Sequence, residues 1–175
     1  MGFRQLDIGS FYRGPEDQPM ERFLLPLLGE AVAYDRDASY FSSKSLAAAA
    51  VGLEPFLGRG GRIRMLVNHQ LSDDDVAAVE RGLDLRATVT GRLERTTLVA
   101  EAQDPDVPYR LRLLACLIAL GQLEMKVAVP TKADGTPMKA SEAGRLHHAK
   151  AGVFTDADGE RVAFHGSNNE TEAGW

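Results

Sequence analysis

Short β-prone runs alternate with helical segments along this chain, and the last two runs are joined across a tight turn signal. That order restricts the fold more than any other feature, because parallel strands need helical crossovers while a hairpin adds an antiparallel neighbour. "PMERFLLPLLGEAVAY" carries apolar residues at helical spacing, and the aromatic "ASYFSS" reads as a short strand. The Ala-rich "SKSLAAAAVGLEPFL" is predicted to be a serine-capped helix ended by Gly58, Gly60 and Gly61. "RIRMLVN" follows as a buried strand, and "SDDDVAAVERGL" opens a helix with Ser72 as N-cap and acids in its first turn. The spacing of "RATVTGRLERTTLVAEAQDPDVP" is ambiguous. A strongly apolar helix is predicted from Tyr109 to Gly121, then "LEMKVAVP" as an interior strand and "TKADGTPMKASEAGR" as a long loop. "HAKAGVFT" and "RVAFHGS" are strands joined through "DADGE", where Asp158-Gly159 is the hairpin signal. The expected fold is α/β, a three-layer α/β/α sandwich with a mixed sheet, in a single domain over residues 1–175.

Composition narrows the setting. With 44% hydrophobic and 26% charged residues in 175, the chain is expected to be a soluble globular domain with its own core. A net charge of -5 argues against a general nucleic-acid coat, so any polyanion would be bound locally. Cys116 sits alone in an apolar run, which points to a buried, inert thiol and a reducing, cytoplasmic location. No apolar run is long enough to span a membrane, and the N-terminus lacks the pattern of an export signal.

Most polar clusters have an ordinary explanation. In "GRGGR" a helix precedes and a strand follows, the reverse of a phosphate cradle, so a helix C-cap and turn is expected. Asp73, Asp74 and Asp75 complement the dipole of the helix they open. His69 has no metal-ligand partner at suitable spacing.

The terminal "LHHAKAGVFTDADGERVAFHGSNNETEAGW" differs. Strand alternation puts His148 and Lys150 on one face and His147 on the other, with Gly152 expected to leave open space beside the first two. The partner strand leads to Ser167, Asn168 and Asn169 beyond a strand end, where α/β sheets commonly place ligands. An imidazole, an ammonium, a hydroxyl and carboxamides suit a phosphate oxyanion: Lys150 and Asn169 donate hydrogen bonds while a neutral histidine attacks phosphorus.

"HAK" followed by a hairpin and "GSNN" resembles the HxK…GSxN signature of the phospholipase D superfamily, with His148, Lys150, Ser167 and Asn169 at the motif positions. "YDRDASYFSSKSLAAAAVGL", "GGRIRMLVNHQLSDDDV", "LEMKVAVP" and "VAFHGSNNETEAGW" extend the likeness to the phospholipase D-like domain at the N-terminus of bacterial and archaeal superfamily two helicases. It covers the chain from about Leu24 to Trp175. The resemblance implies a phospholipase D-like half-domain, possessing one HxK motif where the family opposes two, and therefore a homodimer with paired His148. One His148 would form a phosphohistidine; the other would protonate the leaving alcohol and then activate water, the two titrating as a coupled pair. Lys150 and Asn169 would hold nonbridging oxygens, with Ser167 on the phosphate, and neither metal nor cofactor is called for. Asn168, His147, Asp156 and Arg145 are secondary candidates, and Lys132, Lys139 and Arg145 could meet flanking phosphates.

The sequence departs from the pattern at Thr155, where the superfamily has an aspartate; Asp156 stands one position late. Some nuclease-type members use a downstream glutamate instead, but Glu170 and Glu172 are too close to the motif, so the polypeptide is expected to continue beyond Trp175, into a helicase domain or toward a helicase subunit. The first expectation is a metal-independent nuclease, DNA ranked ahead of RNA, serving a helicase or defence system. The alternatives are a non-catalytic nucleic-acid binding module and, last, a lipid phosphodiesterase, for which no membrane-facing segment is visible.

Overall fold

The computed structural model describes residues 2–68, 73–89, 108–128, 131–135 and 149–166. After an irregular opening, a π-helical turn at Met20–Leu24 runs into helix α1 (Leu25–Glu30) and strand β1 (Ala31–Ala38). Helices α2 (Ser43–Ala48) and α3 (Ala50–Gly58) lead to β2 (Arg62–Val67). Helix α4 (Asp73–Val89) and helix α5 (Tyr109–Ala119) precede β3 (Leu123–Val127), and β4 (Lys150–Asp156) and β5 (Arg161–His165) close the described chain.

The strands form one mixed sheet in the order β3-β2-β1-β4-β5. β1 is parallel to β2 and β2 to β3, whereas β4 is antiparallel to both β1 and β5. The two parallel crossovers step in the same direction across the sheet, and right-handed connections of that kind set their helices on the same face. Burial agrees: Tyr34, Arg36 and Ala38 of β1, Ile63, Met65 and Val67 of β2, and Lys150, Gly152, Phe154 and Asp156 of β4 are buried in alternation. Of these, Tyr34, Ile63, Met65, Val67 and Phe154 join Leu27, Leu28, Leu46, Leu53, Phe56, Leu114, Leu117 and Ile118 from the helices in one core. Phe154 stacks on Tyr34 with ring centroids 4.2 Å apart and is edge-on to Phe23 at 6.2 Å. The opposite face carries Asp35, Asp37, Arg64, Glu124, Lys126, Val153 and Ala163 at half-buried to exposed positions, so the described residues make two layers. Arg64 there donates to both oxygens of Asp35, at 2.6 and 2.5 Å.

Local sequence explains most of these boundaries. Ser42 caps α2, its hydroxyl accepting from the Lys44 amide at 3.3 Å. The "GRGGR" segment is a helix terminator: the Gly61 amide donates to the Phe56 carbonyl and the Gly60 amide to Leu57, each at 2.9 Å, with Gly60 at φ +75. A Cβ at Gly61 would lie 2.6 Å from the Phe56 carbonyl oxygen, which is why this turn takes glycine. The β4–β5 hairpin turns through Gly159 at φ +81, as the Asp158-Gly159 signal predicts.

Three expectations are corrected. The first strand is "AVAYDRDA", with "ASYFSS" mostly following it; Arg36 points inward between Tyr34 and Ala38 and so obscures the two-residue apolar period. "LEMKV" is an edge strand, whose exposed Glu124 and Lys126 suit a sheet margin. Cys116 is half-buried on α5. Ser72 and His69 lie outside the described residues.

Candidate active site

The candidate site lies where the parallel strands β1 and β2 end and the antiparallel strand β4 begins. Register pairs Ala38 with Val67 and with Lys150, so the chain leaves β1 and β2 beside the first residue of β4. Ser39, immediately after β1, is fully buried, and its carbonyl accepts from the Asn68 amide at 3.3 Å, carrying the parallel pairing one step further. Lys150 is only 9% exposed. Its Nζ donates to Ser39 Oγ at 3.1 Å, and Ser39 Oγ donates in turn to the Ala149 carbonyl at 3.1 Å. A buried ammonium costs free energy unless hydrogen-bonded, so this hydroxyl offsets part of that cost and fixes where the charge sits.

The hairpin brings the described ends of β4 and β5 together. Gly166 donates its amide to the Lys150 carbonyl at 3.0 Å, which makes the end of β5 and the start of β4 immediate neighbours. The sequence continues from those ends to His148, two residues before Lys150, and to Ser167, one residue after Gly166. Arg145, His147, His148, Ser167, Asn168 and Asn169 lie outside the described residues, as does Lys139, whereas Lys132 is exposed.

Thr155 and Asp156 are at the far end of β4, roughly 17 and 20 Å along the strand from Lys150. Neither residue can touch a phosphate held at Lys150, so the lack of a carboxylate at Thr155 removes nothing from that end. Asp156 is a structural acid: its Oδ2 accepts from the Phe3 amide at 2.8 Å, and its Oδ1 from Asp158 and Glu160 amides at 3.0 and 2.9 Å. These bonds, that of Phe3 foremost, hold its carboxyl below the usual carboxylate range despite burial.

The expected open space at Gly152 is occupied. Register pairs Gly152 with Phe164 on one side and Arg36 on the other. A Cβ at Gly152 would stand 2.5 Å from Phe164 Cε1 and 3.2 Å from the Asp35 carbonyl oxygen. The Phe164 ring also lies under the Arg36 guanidinium, 4.9 Å from its centroid. Gly152→Ala must therefore displace the ring from the cation, and is expected to cost about 1–3 kcal/mol in urea unfolding. A G152A/F164A double variant should lose less than the sum of the single losses.

Arg36, 3% exposed, stands one residue pair inward from Lys150 on the same face, so two buried cations share this half of the sheet. Arg36, Ser39 and Asn68 were not singled out by the sequence. The available signal was position: Ser39 and Asn68 each follow a parallel strand at its carboxyl end, the usual ligand side of such sheets. A shallow depression of about 570 Å³ lined by Asp35, Asp37, Arg64 and Val153 opens on the other side of the sheet from the Lys150 side chain. Among the described residues, no group of three His, Cys, Asp or Glu side chains converges to hold a metal.

No protein-family model matches the chain, and no curated protein matches it. The functional reading therefore rests on the site and on the motif residues themselves. Among the described residues, no helix is long and apolar enough to cross a membrane.

Proposed function

We propose that this chain is a metal-independent phosphodiesterase that hydrolyses nucleic-acid backbones through a phosphohistidine, as a phospholipase D-like half-domain working in a homodimer. The observation that carries the reading is the buried Lys150 ammonium, fixed at the sheet end where the hairpin brings Lys150 and Gly166 side by side. Lys150 belongs to the HxK segment, and Gly166 opens the GSxN segment. The proposal includes the three-layer form of the fold, with a third layer over the Asp35 and Val153 face, and a cytoplasmic role beside a helicase or defence system.

In the first step an imidazole nitrogen of His148 attacks phosphorus. The bond to the leaving sugar oxygen breaks, and that oxygen takes a proton from His148 of the partner subunit. Lys150 and Asn169 donate to the nonbridging oxygens, whose charge grows toward the transition state. Water then attacks phosphorus, the phosphorus–nitrogen bond breaks, and the same second imidazole takes the water proton. Atoms and charge balance without a redox partner.

The test is cleavage of single- and double-stranded DNA and RNA oligonucleotides in EDTA, with a denaturing quench at alkaline pH to look for an alkali-stable, acid-labile phosphoenzyme. Cleavage persisting in EDTA, with DNA cut faster than RNA and phosphate trapped on His148, is the expected result. A folded dimer that binds these oligonucleotides without cutting would replace the reading with a non-catalytic binding module. Hydrolysis of a lipid diester alone would replace it with a lipid phosphodiesterase.

A further inference from the structure

We propose that Ser39 is a positioning residue for Lys150: its hydroxyl sets the ammonium at the height required by a bound phosphate. The inference deepens the phosphodiesterase reading and rests on it for its kinetic part, though not for its structural part. Three observations converge. Lys150 Nζ donates to Ser39 Oγ, and the same oxygen donates to the Ala149 carbonyl, so one hydroxyl holds both the tip of the lysine and the backbone at its root. Ser39 is itself immobilised, being fully buried and joined through its carbonyl to the Asn68 amide at 3.3 Å. It immediately follows β1 and is separated from Lys150 by 111 positions in sequence, so the contact exists only in the folded sheet.

The chemistry explains why a hydroxyl is suited to this position. A lysine ammonium has three donors on a flexible stem and reaches any nearby acceptor, so its position must be imposed by a neighbour. A carboxylate there would neutralise the charge that a phosphate needs. A seryl oxygen accepts one ammonium proton while its own proton goes to the Ala149 carbonyl, leaving the positive charge and its other donors in place. The direction of both bonds is thereby fixed: ammonium to hydroxyl, hydroxyl to carbonyl.

The experiment compares Ser39→Ala and Ser39→Thr with the wild-type full chain. It measures oligonucleotide cleavage in EDTA, the melting temperature, and solvent exchange of the Lys150 Nζ protons by nitrogen-15 NMR. In folded S39A, kcat is expected to fall about 10- to 100-fold with KM changed less than about threefold, because a misplaced donor is felt most in the transition state. Lys150 Nζ exchange should rise on the order of tenfold as the Ser39 acceptor is lost. S39T, which keeps the hydroxyl, should restore both values to within about threefold of wild type; if its added methyl prevents folding, S39A and the NMR measurement decide alone. Unchanged exchange in folded S39A overturns the inference, whatever the kinetics. If the wild type does not cleave but exchange rises in S39A, the positioning role stands and the phosphodiesterase reading falls.

Discussion

Lys150→Met is expected to lower EDTA-resistant cleavage of DNA by about a hundred- to a thousandfold, and His148→Ala by about a thousandfold or more, with melting temperatures near that of the wild type. The two losses have different origins. His148 supplies the atom that bonds to phosphorus, so its loss removes the covalent route and leaves only what the remaining groups contribute. Lys150 supplies a preset donor to oxygens whose charge grows as the bond breaks. Methionine keeps the length and apolar stem of the buried side chain, whereas alanine would add a cavity and confuse stability with chemistry. Lys150→Arg is a useful second variant, since it retains charge but must fit a broader planar group beside Ser39 in a closed space. It should recover less than about a tenth of the lost rate. Single-turnover cleavage with circular dichroism melts checks all three. A folded K150M that cuts at the wild-type rate would remove Lys150 from the mechanism.

Asp156→Asn should leave the chemistry intact and instead lower the melting temperature by on the order of 10 °C at neutral pH. Both carboxylate oxygens are acceptors for backbone amides, Phe3 on one and Asp158 and Glu160 on the other. An asparagine must present an amide N–H toward at least one of these sets, placing donor against donor in a buried position. The same bonds link the N-terminal segment, through buried Phe3, to the hairpin that carries Lys150 at its other end. The pH dependence follows in sign. Because the folded carboxyl titrates below its ordinary value of about 3.9, its stabilisation is fully present above that pH and is lost as pH falls through the lower folded value. Thermal melts at a series of pH values should therefore show wild type and D156N converging under acid conditions. A constant difference across the series would mean that Asp156 contributes through packing rather than charge.

The sequence was informative where a local rule acts alone. The Asp158-Gly159 turn, the Gly60-Gly61 helix end, the Tyr109–Ala119 helix and the "RIRMLV" strand all depend on neighbours within a few residues. It misled at β1, because a buried arginine between Tyr34 and Ala38 breaks the apolar alternation that identifies a strand. Arg36 is accommodated there by the face of Phe164, a residue 128 positions away by number. The space over Gly152 was misjudged for a related reason: the missing side chain makes room for that same ring from the neighbouring strand.

By itself, then, the sequence determined the order of elements, the closing hairpin and the polar groups offered at its ends, since propensity, turn chemistry and spacing are properties of short segments. Only the tertiary structure decided which of those groups share a place. The sheet order sets β4 beside β1, so that Ser39 meets Lys150 across 111 positions, while Asp156 is carried to the opposite end of the same strand. A tight turn sets register within the β4–β5 hairpin, but the register of β4 against β1 joins segments over a hundred positions apart and follows from which faces are buried together.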